Sequence, residues 1–517
     1  MKSEVALILA LGLLLSLSGM VLSGYAGPAE AAAANGQDVL ERVLAEFYPL
    51  ANIPRKSHHE EKISAYLASW AENVGLKSVR DKSNNVVIEV PATRGMENKP
   101  LVILQAHSDM VCVAKDGVRF DPLADPIKVI RDDKARTLKA DGTSLGADDG
   151  IGVAMALFVA NPGNKVDHGP LRLVITTNEE DGMTGAANLD ARHLEGKYLV
   201  NLDNEVVGQF INSCAGGYKY IFTDKVKRAA PKKDLALAIS LSGLLGGHSG
   251  IEINKGHANA VSILANLLNA VHAAGIDFEL ASFEGGTAAN AIPAKAAAVM
   301  VIDSRDRASF EKVFDSYKGK FERSYGGIEK NGKLAFSKTA LPKNAAEPEA
   351  GYRFISLLAS IPTGVGTMSQ VVKDLVESSS NTGIVALGGD SASITIFARS
   401  SEDYHLERYT QNYNALATLS GYQLETIFMG PPWPAVKENK LAETLAAEYQ
   451  ALTGKTAEVL AIHAGLECAY WAQKNPGLSL ISIGPELHDV HSPNETLFLD
   501  SIAPTMDLLV AAMKKLD

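Results

Sequence analysis

Acidic and histidine side chains stand at the points of this sequence where apolar runs end or a helix begins. Asp148 lies in L-G-A-D-D-G-I-G, between a glycine-rich loop and an apolar run with helical spacing. The helix dipole and free backbone N–H groups favour an ionised carboxylate there. Its small neighbours leave both oxygens accessible, so Asp148 can bridge two cations. The alternative is that Asp148 or Asp149 only caps the helix.

The other candidates follow apolar runs that indicate buried strands. In chain order these strand ends carry His107 and Asp109, Glu179 and Glu180, Asp203, and, near the C-terminus, His491 in V-H-S-P-N-E. His107 and Asp109 are two residues apart and therefore project to the same side. Open α/β sheets keep their active sites at the carboxyl ends of strands. We therefore expect these side chains to converge with Asp148.

This set of residue types is suited to a pair of metal ions. The proposed ligands are His107, Asp148, Glu180, Asp203 and His491. Two imidazoles and three carboxylates give two zinc-like ions a mixed N/O shell with a position left for water. Such ions, about 3.5–4 Å apart, activate a shared water and polarise a carbonyl, which indicates hydrolysis. Asp109 can orient His107 through its other ring nitrogen, and Glu179 can take the water's proton.

Nine short motifs occur in order from about residue 43 to the C-terminus. They are H-S-D-M-V, G-T-S-L-G-A-D-D-G-I-G, T-N-E-E-D-G-M-T-G, N-L-D-N-E, C-A-G-G, G-G-H-S-G, N-A-I-P, H-A-G-L-E-C and H-S-P-N-E. This series resembles the aminoacyl-histidine dipeptidases, also called Xaa-His or carnosinase-like dipeptidases. They are a branch of the co-catalytic di-zinc metallopeptidases related to aminoacylases and glutamate carboxypeptidases.

The resemblance implies a role for each candidate. The implied roles are Asp148 as the bridge, His107 and Asp203 on one ion, Glu180 and His491 on the other, Glu179 as general base, and Asp109 as the group that orients His107. It also implies a cis peptide bond between Asp148 and Asp149. The ions are expected to be zinc, with cobalt or manganese as alternatives. Asp149 stands where relatives often have Asn, a departure that concerns substrate preference rather than the chemistry.

Alternating strand and helix patterns organise the chain. Residues 35–216 and 417–517 predict an α/β catalytic domain with a mostly parallel central sheet flanked by helices. Residues 217–416 have strands of alternating polarity interleaved with helices, which predicts an inserted α+β domain. The resemblance identifies this insert as a lid. Ser57 and Glu60 are predicted to form a capping box for the next helix.

Five further residues are candidates for contacting the substrate or lining its pocket. His248 lies between glycines in G-G-H-S-G, and the resemblance implies that it reaches the substrate carbonyl oxygen. Arg399, at the end of I-T-I-F-A-R, can bind the free carboxylate of a short peptide bidentately. Asn290 in N-A-I-P either donates to the same carbonyl or only forms a turn. His463 in H-A-G-L-E is expected, with Glu467, to line the pocket.

The first 34 residues are not expected to belong to the fold. Lys2 precedes an apolar segment at residues 5–22, and an alanine tract with A-x-A cleavage options follows. These features predict a signal peptide over residues 1–34 and a periplasmic or secreted enzyme. The alternative is an uncleaved membrane anchor, because about 18 apolar residues can just span a bilayer.

Net charge limits the partners that we expect, and the cysteine content limits the expected disulfides. The formal net charge of −11 argues against nucleic acid or an anionic membrane surface as partner. We also expect no stable membrane partner once the signal peptide is cleaved. The three cysteines are an odd set in apolar or motif contexts, so we expect buried thiols rather than a disulfide framework.

The sequence therefore predicts a metallo-dipeptidase that cleaves dipeptides or short peptides through a water shared by two metal ions. Xaa-His dipeptides are the implied substrates, and the resemblance allows a homodimer through the lid. One alternative is an aminoacylase-type amidohydrolase, which would act on N-acyl amino acids and not on dipeptides. The other is a non-catalytic extracytoplasmic peptide-binding protein, which the complete set of five ligands with Glu179 argues against.

Overall fold

The computed structural model describes residues 28–436 and 438–517. The α-helices of this part of the chain are α1 (Pro28–Ala51), α2 (Glu61–Asn73), α3 (Ala147–Ala160), α4 (Thr184–Asn188), α5 (Ala260–Ala273), α6 (Arg307–Tyr325), α7 (Pro348–Ser360), α8 (Asp403–Ser420), α9 (Lys440–Thr453), α10 (Cys468–Lys474) and α11 (Ile502–Lys515).

The strands of the same part of the chain form two large sheets and two small ones. They are β1 (Lys77–Arg80), β2 (Val86–Val90), β3 (Val102–His107), β4 (Val129–Asp132), β5 (Thr137–Ala140), β6 (Leu171–Thr176), β7 (Tyr198–Asn201), β8 (Gln209–Cys214), β9 (Gly216–Lys225), β10 (Arg228–Ala229), β11 (Leu235–Ser242), β12 (Phe278–Gly285), β13 (Ala296–Ile302), β14 (Lys333–Lys338), β15 (Ala345–Ala346), β16 (Gly364–Met368), β17 (Val376–Gly388), β18 (Ser391–Ser400), β19 (Gln423–Gly430), β20 (Glu458–Ile462), β21 (Ser479–Ser482), β22 (Leu487–His488) and β23 (Thr496–Phe498).

The first large sheet is the catalytic one and has the strand order β1-β2-β6-β3-β7-β21-β8-β20. Its centre, β6-β3-β7-β21, is parallel throughout. The pairs β1-β2, β2-β6 and β21-β8 are antiparallel. The predicted α/β class is confirmed, and the sheet is parallel where the site lies but mixed towards its edges.

Apolar side chains cover this sheet on both faces. Along β3, Leu104 packs into one apolar cluster with α3 and α1, whereas Ile103 packs into a second cluster with α10. A strand buried on both faces has a nearly continuous apolar run, which is the pattern of β3 in the sequence. Each buried Leu or Ile stabilises the fold by about 1.5–3 kcal/mol. The strand ends that carry the polar residues are therefore fixed by a packed core.

The second large sheet is antiparallel and has the order β14-β11-β13-β12-β17-β18-β9-β19, with β16 paired to β17. Helices α5, α6, α7 and α8 contribute to the apolar core that covers it. The sheet continues past residue 416, the predicted end of the lid, because β19 pairs with β9. We refer to this sheet and its helices as the lid.

The chain enters and leaves the lid side by side. Cys214, the last residue of β8, and Trp433, which follows the end of β19, exchange two backbone hydrogen bonds of 3.1 Å. Trp433 and Cys214 are both buried. The three cysteines are free, as predicted; Cys214 and Cys468 are buried as expected, whereas Cys112 is only half-buried.

Two local predictions near the N-terminus change. The capping box is wrong: α2 has no side-chain cap, Ser57 Oγ donates to Asp109 Oδ2 (2.8 Å), and Glu60 Oε1 accepts from the backbone N–H of Asn178 (2.9 Å). Both side chains bond across the fold, and Glu60 Oε1 also accepts from the backbone N–H of His58 (3.0 Å) rather than from Ser57. The predicted signal peptide and membrane anchor fall mainly on residues 1–27, outside the described part, while α1 begins at Pro28.

Candidate active site

The site lies at the carboxyl ends of the four central parallel strands. His107 ends β3, Glu179 and Glu180 follow β6, and Asp203 follows β7. His491 lies in the loop after β22, in the segment that follows β21. Asp148 comes from the start of α3, where regular helical geometry begins only after Asp149. The Asp148–Asp149 peptide bond is cis, as the resemblance implies.

Asp148 faces two histidines with its two oxygens. Its Oδ1 lies 3.1 Å from His107 Nε2, and its Oδ2 lies 2.9 Å from His491 Nε2. His107 Nε2 is also 3.4 Å from Asp203 Oδ1, and His491 Nε2 is 2.8 Å from Glu180 Oε2. The structure therefore forms two groups of donor atoms that share the Asp148 carboxylate. The five predicted ligands are all brought together in these groups.

The charged groups of this cluster shift one another's pKa values. Burial lowers the pKa of His107, but Asp203, Asp109 and Asp148 outweigh burial and hold that pKa well above its usual value. Hydrogen bonds to Asp148 and Glu180 raise the pKa of His491 to about 11. Burial raises the pKa of Asp203 to about 6, against the charge of His107. Several carboxylates gathered around two imidazoles favour the binding of a cation.

Asp109 connects the two sides of the cluster. Its Oδ1 lies 3.5 Å from His107 Nδ1, and it accepts hydrogen bonds from the backbone N–H groups of Glu179 (3.0 Å) and Glu180 (3.3 Å). Ser57 donates to its other oxygen. Asp109 thus faces the ring nitrogen opposite the one that faces Asp148 and Asp203, and it also fixes the turn that carries the two glutamates.

Glu179 and Glu180 differ in what they contact. Glu180 Oε2 faces His491, while its buried Oε1 has no hydrogen-bond partner within residues 28–436 and 438–517. The Glu179 side chain makes no hydrogen bond or ion pair among the described residues, which leaves it free to act on a ligand. Burial raises its pKa well above the usual value, and Asp203, Glu180 and Glu467 act in the same direction while His107 opposes them.

Asp149 lies close to the ligands without facing the same space. Its Oδ2 accepts from the backbone N–H of His107 (3.1 Å) and its Oδ1 from that of Gly152 (3.2 Å). It also comes within ligand distance of His107 and Asp203. Because both oxygens are already engaged by backbone groups, Asp149 serves the local structure better than a metal ion.

His248 lies in the lid, in the loop after β11. Its Nδ1 accepts hydrogen bonds from the backbone N–H groups of Gly250 and Ile251, both 3.2 Å long. The ring proton must then be on Nε2, which is left as a donor. Burial lowers the pKa of His248, and the charge of Arg399 lowers it further. His248 is therefore a neutral donor. Its neighbour Asn290 has an exposed side chain, and its carbonyl accepts from Ser249 N–H (2.8 Å).

Arg399 has a buried guanidinium. It is 7% exposed, its Nε has no hydrogen-bond partner in the described part of the chain, and it stacks on the ring of Phe397 at 4.0 Å. Among the described residues it forms no ion pair within 4 Å. It lines a small cavity together with Gly217, Met183 and Tyr470. A desolvated cation in a cavity favours an anionic ligand.

His463 joins the catalytic part to the lid. Its Nε2 lies 2.7 Å from Ser379 Oγ on β17. Burial, and then the charges of Arg399 and His248, lower its pKa to about 3. His463 of the catalytic part therefore lies near Arg399 and His248 of the lid. Glu467 does not line the pocket as predicted: it is fully buried and accepts from Thr176 Oγ1 (2.7 Å) and Gln105 Nε2 (2.5 Å) beneath β3.

Two residues that hold the Asp148 loop were not foreseen from the sequence. Glu495 accepts four backbone N–H groups of this loop, and Arg55 donates to backbone carbonyls on its other side. Neither follows a strand end or matches a ligand spacing. The one available signal was the E of H-S-P-N-E, which lies within a recognised motif.

Known proteins resemble this chain in sequence and in fold. Residues 239–329 match the family described as peptidase dimerisation domain. The chain is 35% identical over 471 residues to the cytosol non-specific dipeptidase of Escherichia coli (strain K12), covering 91% of this chain and 96% of that protein. It is 33% identical to the crystal structure of aminoacylhistidine dipeptidase from Vibrio alginolyticus, with a TM-score of 0.85 and coverage of 92% and 96%. An aminopeptidase structure from Bacillus cereus, 17% identical with a TM-score of 0.53 and coverage of 92% and 98%, shares the fold.

The fold and the site define a co-catalytic metallopeptidase, a hydrolase that acts on peptide bonds with a site for two metal ions. Within that class, the chain belongs to the dipeptidase family of the Escherichia coli and Vibrio relatives, the branch that the sequence motifs resembled. Neither the aminoacylase alternative nor the non-catalytic one receives support from these comparisons.

The comparison with the Escherichia coli relative shows that the predicted periplasmic or secreted location is wrong. The Escherichia coli relative, which matches over 91% of this chain, is named as an enzyme of the cytosol. The alanines taken for a cleavage tract are also the strongest helix formers, and those from Ala29 onwards belong to α1. Within the described residues, no helix is both long and apolar enough to cross a membrane.

Proposed function

We propose that this enzyme hydrolyses dipeptides that carry a free carboxylate, with Xaa-His dipeptides among its substrates. The Vibrio relative is named for aminoacylhistidine and the Escherichia coli relative for non-specific dipeptide cleavage, and both names support a short-peptide substrate. The absence of a carboxylate partner for Arg399 among the described residues supports the free C-terminus.

The Asp148 carboxylate carries this proposal. Its two oxygens face two different histidines at 3.1 and 2.9 Å, each with a second carboxylate beside it. We assign one divalent cation to His107 and Asp203 and the other to His491 and Glu180, with Asp148 shared. The mixed imidazole and carboxylate set fits zinc best, and cobalt or manganese would also fit. The buried Glu180 Oε1, which has no partner, fits a cation as well.

The bound ions would supply Lewis acidity to the scissile carbonyl and to the attacking water. The chain's own residues do the remaining work. Glu179 takes the proton of the attacking water and passes it to the leaving amine. His248 donates from Nε2 to the carbonyl oxygen as negative charge develops there. Asp109 holds the ring of His107 and the turn of Glu179.

Residues of the lid contact the substrate at its terminal carboxylate and at its scissile carbonyl. Arg399 binds the terminal carboxylate, because a planar guanidinium matches its two oxygens. Asn290 is assigned a hydrogen bond to the same carbonyl as His248, on the strength of the backbone pairing between the two segments. His463 lines the pocket between lid and catalytic part.

We propose that two copies of the chain associate through the lid. The match to the peptidase dimerisation family spans residues 239–329, which run from within β11 to the loop after α6. We also propose a catalytic domain of residues 35–216 and 417–517 and a lid domain of residues 217–416, with β19 added to the lid because it pairs with β9.

A substrate panel with metal removal tests the activity. Protein stripped by a chelator is assayed before and after zinc, cobalt or manganese is restored. The substrates are a free dipeptide, the same dipeptide with an amidated C-terminus, and an N-acyl amino acid. We expect metal-dependent cleavage of the free dipeptide and little of the other two. Cleavage of the N-acyl amino acid alone, or full activity without metal, would overturn the proposal.

A further inference from the structure

The loop before α3 must hold Asp148 so that its two oxygens face opposite histidines. Glu495, four residues after His491, is 3% exposed and lies against this loop. Its Oε2 accepts the backbone N–H groups of Leu145 (2.7 Å) and Gly146 (2.9 Å). Its Oε1 accepts those of Ala147 (2.7 Å) and Asp148 (3.2 Å). One carboxylate therefore satisfies four consecutive backbone donors.

Arg55 engages the carbonyl groups of the same region. It is 1% exposed, and its Nη1 donates to the carbonyls of Ser108 and Asp109, both at 3.0 Å. Its Nη2 donates to the carbonyl of Gly146. Among the described residues no carboxylate lies within ion-pair distance of this guanidinium. Arg55 thus joins the end of β3, which carries His107 and Asp109, to the loop that carries Asp148.

The glycines around Asp148 make room for this arrangement. A Cβ at Gly150 would lie 2.6 Å from Arg55 Nη2, and a Cβ at Gly146 would lie 2.5 Å from the same atom. Gly146 also has a positive φ of 70°. The spacing G-A-D-D-G is therefore what allows a buried arginine to pass against the backbone on either side of the two aspartates.

We propose that Glu495 and Arg55 are positioning residues that hold the Asp148 loop ready for two metal ions. Neither side chain contacts a ligand side chain; both act through backbone groups of the segments that carry Asp148 and His107. The inference rests on the proposed function, in which Asp148 is shared by two ions. We call the pair the Glu495–Arg55 clamp.

The hydrogen-bonding capacity of the carboxylate explains why Glu495 is suited to this position. Only an ionised carboxylate presents two acceptor oxygens and no donor. Glutamine would keep the size but place an NH2 group against two of the four backbone N–H groups. Two buried donors would then lose their partner, whichever way the amide is turned. The loop would remain in place on average but would no longer be held in one geometry.

Glu495→Gln tests the clamp with Glu279→Gln as matched control. Glu279 is also a buried carboxylate that accepts backbone N–H groups, from Lys232 and Lys233, but it lies in the lid. Zinc affinity is measured by competition with a chromogenic chelator, at a temperature where each metal-free protein is folded. Hydrogen exchange of residues 145–148 is followed in the metal-free proteins.

We expect Glu495→Gln to bind zinc about 10–100-fold more weakly, the usual effect of losing a group that orients ligands. Residues 145–148 should exchange faster, while Glu279→Gln keeps wild-type affinity. A merely structural role would lower the melting temperature without changing the zinc affinity of folded protein. Wild-type affinity together with slow exchange in Glu495→Gln would overturn the proposal.

Arg55→Lys and Asp148→Asn complete the design. If Glu495→Gln fails to fold, Arg55→Lys tests the same clamp, since one ammonium cannot reach both sets of carbonyls, and unchanged zinc affinity there overturns it. Asp148→Asn separates the clamp from the proposed function. If Asp148→Asn loses zinc while the clamp variants keep it, only the clamp is wrong. If Asp148→Asn keeps both ions, the shared-ligand assignment itself is wrong.

Discussion

Glu179 and Glu180 are neighbours in the chain, yet the structure gives their carboxylates different surroundings. Glu180 faces His491 at 2.8 Å and belongs to one group of donor atoms. Glu179 has no side-chain partner among the described residues, and burial raises its pKa well above the usual value. A group with a raised proton affinity beside a hydrolytic site is suited to accept a proton.

This difference predicts that Glu179→Gln and Glu180→Gln affect different properties of the enzyme. Glu179→Gln keeps the size but cannot accept a proton, so kcat should fall by about 10²–10⁴-fold with metal content retained. Glu180→Gln should instead lose a metal ion. Steady-state kinetics and metal analysis on both variants measure this. Loss of an ion in Glu179→Gln, with Glu180→Gln fully loaded and slow, would show that the two roles are exchanged.

At the residue scale, the sequence predicted the groups that converge but not the groups that hold them. His107, Asp148 and His491 could be found because each stands at a strand end or a helix start. Glu495 and Arg55 could not, because a side chain that bonds to a distant backbone leaves no spacing in the sequence. Glu467 was misplaced for a related reason, since its partners Gln105 and Thr176 come from distant strands.

At the element scale, the start of α3 is the most constrained part of the site. Every residue of this helix except Asp148 is buried, and its first turn passes against Arg55. A methyl group at Gly150 would lie 2.6 Å from the Arg55 guanidinium, which is itself fixed by its hydrogen bonds to backbone carbonyls.

Gly150→Ala should therefore destabilise the protein although alanine favours helices. We expect a loss of about 1–3 kcal/mol, the usual cost of overpacking, and weaker metal binding. Gly319→Ala is the control, because Gly319 lies inside α6 and its nearest contact is the end of the Arg323 side chain at 3.4 Å. That variant should gain up to about 1 kcal/mol. Chemical denaturation measures both, and equal effects would contradict the account.

The order and type of most elements could be predicted from apolar periodicity, and the exceptions have physical causes. β19 escaped prediction as part of the lid because it is an edge strand with mostly exposed side chains and so has little apolar pattern. The antiparallel edges of the catalytic sheet depend on strand order, which local sequence does not specify. The N-terminal alanines fitted a leader as well as a helix, because composition alone does not separate the two.

At the scale of the whole molecule, the proposed substrate pocket is built by two parts of the chain. His463 from the catalytic part meets Ser379 of the lid at 2.7 Å, and Arg399 from β18 lowers the pKa of His463. The predicted metal ligands all come from the catalytic part, whereas Arg399 comes from the lid. In the proposed function, metal binding and recognition of the substrate's carboxyl end are therefore assigned to different parts of the chain.

This separation predicts that Arg399 affects binding without affecting metal. Arg399→Ala should raise KM for free dipeptides by about 10–100-fold, as expected for charge-assisted hydrogen bonds worth about 1.5–3 kcal/mol. Arg399→Lys should also be impaired, because a point charge cannot form the paired hydrogen bonds. C-terminally amidated dipeptides should change little. Equal losses for free and amidated substrates would show that Arg399 binds something else.

The metal content of Asp148→Ala tests the central claim most directly, because Asp148 is the residue shared by both groups of donor atoms. Metal per chain is measured by mass spectrometry after loosely bound ions are removed. We expect two ions in the wild type, about one in His491→Ala and almost none in Asp148→Ala. Asp181→Ala is the control, since this exposed carboxylate lies beside Glu180 but faces His58, and it should retain two. Two ions in Asp148→Ala would contradict a shared carboxylate.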